Sequence, residues 1–361
     1  MKKLLVLVAA IMLVGALAAA AAAADWGFYG SSRFATFYTA NDYGDQEDPD
    51  GDGDLSWFQQ GNSRIGADVS GGPIKGKFEY GTGVNLRQLW GEYDFGSMQL
   101  RIGQDYTPVH TWTSTQVYGE DEYLCGTGAF YGSRKDQIKM IFSGFEVALI
   151  EPSTDIGNNV LPADSDTDTM LPKIEVAYRT SIGPGSVGIM GGYNGFTVES
   201  ADGDDDVQIN SWVLQAEGLF SFGAAYVNLS GFVAGNPGNY GGYYDIYYLR
   251  DPDGMNVPSS YPVVTDWDSE DAQSFGGTLV GGFSPSDAMT IEAGLGYTSH
   301  KNDDVGDDAD NTLGLYVLAN ITVGQGFFIV PEVGYFAFGD DANENDEGGL
   351  TYAGAKWQMN F

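Results

Sequence analysis

The sequence predicts an all-β chain that closes into a transmembrane antiparallel β-barrel of about 16 strands. Three observations predict it. Apolar residues alternate with Gly, Thr and acids along many segments, short turns alternate with long loops, and an alternating C-terminal strand ends on Phe361.

Residues 1–24 carry no acid, open with Lys2 and Lys3, run through an apolar stretch and finish in alanines. That is the pattern of a cleaved secretory signal peptide. Residues 25–361 then form one barrel domain. With Lys2 and Lys3 gone, 14 Lys and Arg remain against 50 Asp and Glu, a net charge of −36. So acidic a chain repels nucleic acid. Cys125 is the single cysteine, which excludes an intramolecular disulfide and a thiolate metal cluster. The two histidines, His110 and His300, lie on separate loops with no adjacent Ser-Asp pattern, so the chain is not expected to be an enzyme.

Beyond the leader no stretch reaches the roughly 18 apolar residues of a membrane helix, so any spanning is done by strands. Met289, Ile291, Ala293, Leu295 and Tyr297 interleave with Thr290, Glu292, Gly294, Gly296 and Thr298. Period two means strand. The same alternation recurs at Leu313, Leu315, Val317, Ala319 and Ile321, and at Phe327, Ile329, Pro331, Val333 and Tyr335. A soluble sandwich buries such a face, whereas a membrane barrel turns it to lipid and lines a wet lumen with the polar one.

The connections decide between these. Short turns fall at 71–73, 94–97, 143–144, 181–186, 221–223, 284–287 and 324–325. Between them lie Asp- and Gly-rich loops near 41–56, 109–133, 152–172, 199–207, 235–272, 300–311 and 339–348, and a brief one near 82–85. Turns on one side of a membrane and long loops on the other are the grammar of an outer-membrane barrel, at roughly 21 residues per strand with its connection. In the last strand Ala353, Ala355, Trp357, Met359 and Phe361 share one face. A terminal aromatic in this setting resembles the assembly signal of bacterial outer-membrane proteins.

Phe28-Tyr29-Gly30, Ser63-Arg64-Ile65-Gly66, Phe78-Glu79-Tyr80, Arg87-Gln88 and the run from Phe95 through Arg101-Ile102-Gly103-Gln104-Asp105-Tyr106-Thr107-Pro108 resemble the general (non-specific) bacterial porins. The resemblance implies homotrimers in a Gram-negative outer membrane, in contact with lipid and lipopolysaccharide, and passive diffusion of small hydrophilic solutes and ions. It also implies that the third loop, from His110 to roughly Tyr131, folds into the barrel. Two features depart from the family. Thr82–Asn85 is shorter than the loop that latches a neighbouring subunit there, and the strand Arg134-Lys135-Asp136-Gln137 is one residue short, leaving open whether Arg134 or Lys135 points inward.

Side-chain parity turns Arg33, Arg64, Lys75, Lys77, Arg87, Arg101, Lys139, Lys173, Arg179 and Lys356 toward the lumen. A charge at the bilayer midplane costs roughly 2–4 kcal/mol on the lipid face, so inward placement follows with or without a function. Set against Glu120, Asp121 and Glu122 of an inward third loop, a basic wall of Arg33, Arg64, Arg87, Arg101 and Lys139 makes a transverse field across a constriction, Arg64 and Arg87 matching family arginines. The alternative reading of the acidic trio is an ordinary solvated loop tip.

Asp48, Asp50, Asp52 and Asp54 have the D-x-D-x-D-G spacing of calcium loops, but the twelfth position is Gln59 and flanking helices are missing from the pattern. Weak binding of calcium or another divalent ion stands beside the reading of a solvated, repulsive loop; no other cofactor is expected. The acidic loops predict cation preference at low salt. The rival function is a substrate-specific channel for a sugar or peptide, with Tyr240, Tyr243, Tyr244, Tyr247, Tyr248, Tyr261 and Trp267 of the sixth loop as a stacking track.

Overall fold

Sixteen antiparallel strands, each hydrogen-bonded to its neighbours in sequence and the last to the first, close a barrel in the computed structural model. The structure describes residues 24–42, 44, 53–154, 165–200, 204–241, 260–265, 267–306, 308–342 and 344–361. Nearly all of the predicted leader, as well as Asp48, Asp50, Asp52, Tyr243, Tyr244, Tyr247 and Tyr248, lies outside the described residues.

The first strand, β1 (Asp25–Asp42), pairs on one side with β16 (Gly349–Asn360) and on the other with β2, which runs in two segments, Asp54–Gln59 and Arg64–Gly71. The wall continues through β3 (Ile74–Gly81), β4 (Leu86–Asp94), β5 (Gln99–Tyr106), β6 (Arg134–Phe142) and β7 (Phe145–Ile150). Next comes β8, in segments Asp166–Asp168 and Lys173–Ile182, then β9 (Gly185–Glu199), β10 (Asp206–Phe222) and β11 (Ala225–Gly235). It is completed by β12 (Gln273–Ser286), β13 (Met289–Lys301), β14 (Asp310–Gly324) and β15 (Phe327–Phe338). Closure satisfies backbone groups that lipid cannot. The strand number and all fifteen connections fall where the sequence pattern puts them. The β6–β7 turn has Ser143 and Gly144 both at positive φ, 48° and 84°, the two-residue geometry whose twist suits a hairpin.

On the outer face Ile65, Leu89, Ile102, Ile138, Ile189, Leu214, Leu279, Leu295 and Val333 stand exposed, as a lipid-facing surface requires. The inner face departs from a uniformly polar lining. Tyr316 and Leu318 of β14, Val330 and Phe336 of β15, and Leu350 and Tyr352 of β16 are buried inside the barrel. They receive the third loop, whose Val117, Tyr118, Leu124 and Ala129 pack on them and on Phe37 of β1. A second apolar patch seats Val109 and Phe130 of the same loop on Ala177, Met190, Val213, Phe232 and Ala234. The loop's neck is clamped by the His110–Tyr131 bridge and by Thr107 N–H donating to the Ser133 carbonyl at 3.2 Å.

Candidate functional site

Burying a loop's backbone inside a barrel leaves N–H groups to be satisfied, and three wall carboxylates do so. Glu332 of β15 accepts from Val117 N–H at 2.7 Å and Tyr118 N–H at 3.1 Å. Glu292 of β13 accepts from Thr115 N–H and Oγ1 at 2.8 and 2.7 Å, and from the hydroxyls of Tyr226 and Tyr316. Glu175 of β8 accepts from Val109 N–H at 2.8 Å. Each of the three carboxyl groups is buried, so a loop N–H that lost its partner here would be left stranded.

The loop's acidic turn docks where β2 is interrupted. Gln60 Nε2 donates to the Gly119 carbonyl at 2.7 Å, Asn62 Nδ2 to the Glu120 carbonyl at 2.5 Å, and Gly61 N–H to Glu120 Oε1 at 2.8 Å. At the break Gln60, Gly61 and Asn62 bond the loop, while the Ser63 hydroxyl and the Gln60 N–H bond Arg33 of β1. Asp121, its side chain wholly buried, pairs with Arg33 at 2.6 Å and Lys356 at 2.9 Å. It therefore fastens the loop to β1 and β16 instead of facing open water. Glu120 remains exposed at the turn.

Between this turn and β1–β6 lies a cavity of about 400 Å³. Arg33, Arg64, Arg87 and Arg134 line it from the wall, and Glu120, Asp121 and Glu122 from the loop. Arg87 Nε donates to Glu79 at 2.7 Å, and Arg64 stands 3.5 Å from the same carboxylate. Arg101 and Lys139, placed in the basic wall by parity, point inward but do not line the cavity. Arg101 is held by Glu92 and Asp105 at 2.6 and 2.5 Å, and Lys139 by Asp105 and Glu146 at 3.0 and 3.4 Å. Parity reports the face and not the height along the strand. On β6, Arg134 lines the cavity with its guanidinium over the Tyr106 ring, and Lys135 sits opposite the buried Asp105 on the face of the buried Gln137 and Lys139. Asp54 opens β2 on an exposed stretch, and among the described residues no group of three or more His, Cys, Asp or Glu is arranged to hold a metal ion.

The sequence reading missed the aromatic side of the site. Tyr106, Trp112, Tyr123 and Tyr131 line the same cavity, with Trp112 as hub, its ring 5.3–5.7 Å from those of Tyr106, His110, Tyr123 and Tyr131. Three of them sit on the third loop, so their density there was the available signal. Among the described sixth-loop aromatics, Tyr240 and Trp267 do something else. Tyr240 is buried, donating to Glu175 at 2.9 Å with Lys173 3.5 Å from its ring centre, and Trp267 packs beside Phe196, Val198 and Ile209. Burial pushes the Tyr123 and Tyr131 phenols up, so both are neutral. Burial, with the Arg179 charge second, pushes His110 down to about 4, so its imidazole is neutral at ordinary pH and its Nδ1 donates to the Thr107 carbonyl.

No protein-family model and no curated protein sequence matches the chain. Solved structures do. The outer membrane channel DcaP of Acinetobacter baumannii superposes with a TM-score of 0.69 at 16% identity, over 94% of this chain and 98% of that one. OmpT of Vibrio cholerae, in its trimer form, gives 0.58 at 13% identity over 94% and 100%, and Salmonella typhi OmpF in complex with daunomycin gives 0.56 at 10% over 93% and 98%. At such identities the likeness establishes the fold, a porin-type 16-stranded barrel.

Proposed function

We propose that the protein is a porin, a passive-diffusion channel for small hydrophilic solutes and ions in the outer membrane of a Gram-negative bacterium, exported by a leader removed after Ala24. The observation that carries this reading is the lumen: a closed barrel with an apolar exterior, whose inward loop leaves a charged gap of about 400 Å³ beside the arginine wall. Opposed charges across that gap set a transverse field that favours dipolar solutes over apolar ones. Around it, the Asp-rich loops and the net charge of −36 concentrate cations at the mouth. The Debye length falls from about 30 Å at 0.01 M salt to about 8 Å at 0.15 M. Cation preference is therefore strong at low ionic strength and fades as salt rises.

Single-channel recording in planar bilayers tests the reading, with reversal potentials under salt gradients of low and high strength. Ohmic steps with cation preference at low salt are expected; purified, folded protein that yields no conductance steps overturns it. The trimer belongs to the same proposal and is supported by the trimer form of OmpT, a fold relative. The connection between β3 and β4 spans only Thr82–Asn85, so subunits would meet through their barrel walls. Crosslinking in native membranes should give a threefold ladder. A substrate-specific channel is favoured by one observation, the aromatic cluster beside the arginines.

A further inference from the structure

Resting on the channel reading, we propose that the cavity between the third loop and the wall is a binding station for a flat aromatic ring bearing a carboxylate. The charge arrangement is the first ground. Arg64 and Arg87 share one carboxylate, Glu79. Among the described residues no carboxylate pairs with Arg134, whose guanidinium rests over Tyr106, 5.4 Å from the ring centre, with Nη1 3.4 Å from its hydroxyl. Three guanidinium groups thus face one acid on this side of the cavity. A planar fork of N–H donors matches a carboxylate with two parallel bonds.

The second ground is the exposed indole. Trp112 keeps 40% of its surface exposed inside the lumen, where a purely structural aromatic would be covered. Tyr106 and Tyr131 flank it at 5.7 and 5.5 Å between ring centres, leaving an aromatic face on the cavity. Ring-on-ring contact adds about 0.5–1.5 kcal/mol beyond area burial. An aromatic face alone could also hold an organic cation; on the wall side Arg64, Arg87 and Arg134 against Glu79 favour the anion, while of the loop-side acids Asp121 is spent on Arg33 and Lys356 and Glu120 and Glu122 stand across the cavity. A cavity of about 400 Å³ lies within the range of small-ligand clefts, roughly 300–1,000 Å³. The preference for cations at the mouth does not conflict with this station, because at about 0.15 M salt the loop acids are screened beyond about 8 Å.

The test is current block in planar bilayers at about 0.15 M salt, with benzoate, cyclohexanecarboxylate and benzyltrimethylammonium at matched ionic strength. Benzoate should produce saturable block or added current noise, at least threefold tighter than cyclohexanecarboxylate and the cation. Trp112→Ala and, independently, Arg134→Gln should each weaken benzoate block by roughly threefold to tenfold, while Trp112→Phe retains most of it. Two variants on different elements guard against one that merely displaces the loop. Equal block by benzoate and cyclohexanecarboxylate, tighter block by the cation, or normal conductance with no block by benzoate would overturn the station and leave the channel standing. Absence of any conductance would overturn the channel itself.

Discussion

Arg64 lines the cavity from β2, its Nε donating to the Asn62 carbonyl and its guanidinium 3.5 Å from Glu79. Arg64→Ala removes bulk from the gap and leaves Glu79 paired with Arg87, so no buried acid is stranded. Liposome swelling should show faster entry of larger neutral sugars, with folding yield unchanged; loss of membrane insertion would make Arg64 a structural residue instead. His110 carries a pH prediction. Its folded value, about 4, lies below the ordinary 6.5, so the unfolded segment takes up a proton first as pH falls. The stability contributed by the neutral imidazole is full above about 6.5 and declines between there and about 4. Acidification through that window should raise open-channel noise as the loop's neck loosens, and His110→Asn should flatten the dependence. An unchanged profile in the variant would remove His110 from the neck's energetics.

The third loop behaves as an element in its own right, held by carboxylates on one side and apolar packing on the other. Glu332 is the wall carboxyl that holds two of its backbone N–H groups, and it also accepts from the Tyr352 hydroxyl. A hydrogen bond contributes roughly 0.5–1.5 kcal/mol, and each buried N–H left stranded costs about 1–3 kcal/mol. Glu332→Ala should therefore detach the loop locally without opening the barrel, whose ladder runs through backbone atoms. Larger and more variable conductance steps are expected, with thermal unfolding of the β signal nearly unchanged. If conductance stays uniform, the apolar patches around Tyr118 and Phe130 hold the loop unaided.

At the scale of the whole molecule, closure and alternating connections give a topology that can be checked from outside the cell. Cysteines introduced at Asp204 and at Asp308 lie in the β9–β10 and β13–β14 loops, and one at Gly72 lies in the β2–β3 turn. A membrane-impermeant thiol reagent on intact cells should label the first two and spare the third. Native Cys125 gives no background, since it is buried and burial pushes its thiol up. Equal labelling at all three sites would overturn the orientation.

Barrel class, strand number and the place of all fifteen connections were legible in the sequence, because lipid imposes a strict period of two on every strand and closure demands an even, continuous series. The same parity turned Arg33, Arg64 and Arg87 inward. It could not tell Arg101 and Lys139 from them, because height along the barrel comes from register and shear, set by sixteen strands together. Nor could it pair Asp121 with Lys356, since those residues are 235 positions apart and meet only where the loop crosses to the last strand. The aromatic hub at Trp112 and the apolar inner faces of β14–β16 belong to the tertiary structure for a like reason. An inward Tyr352 or Phe336 breaks the polar-lumen pattern unless a loop from elsewhere in the chain covers it, and nothing local in the sequence says which loop does.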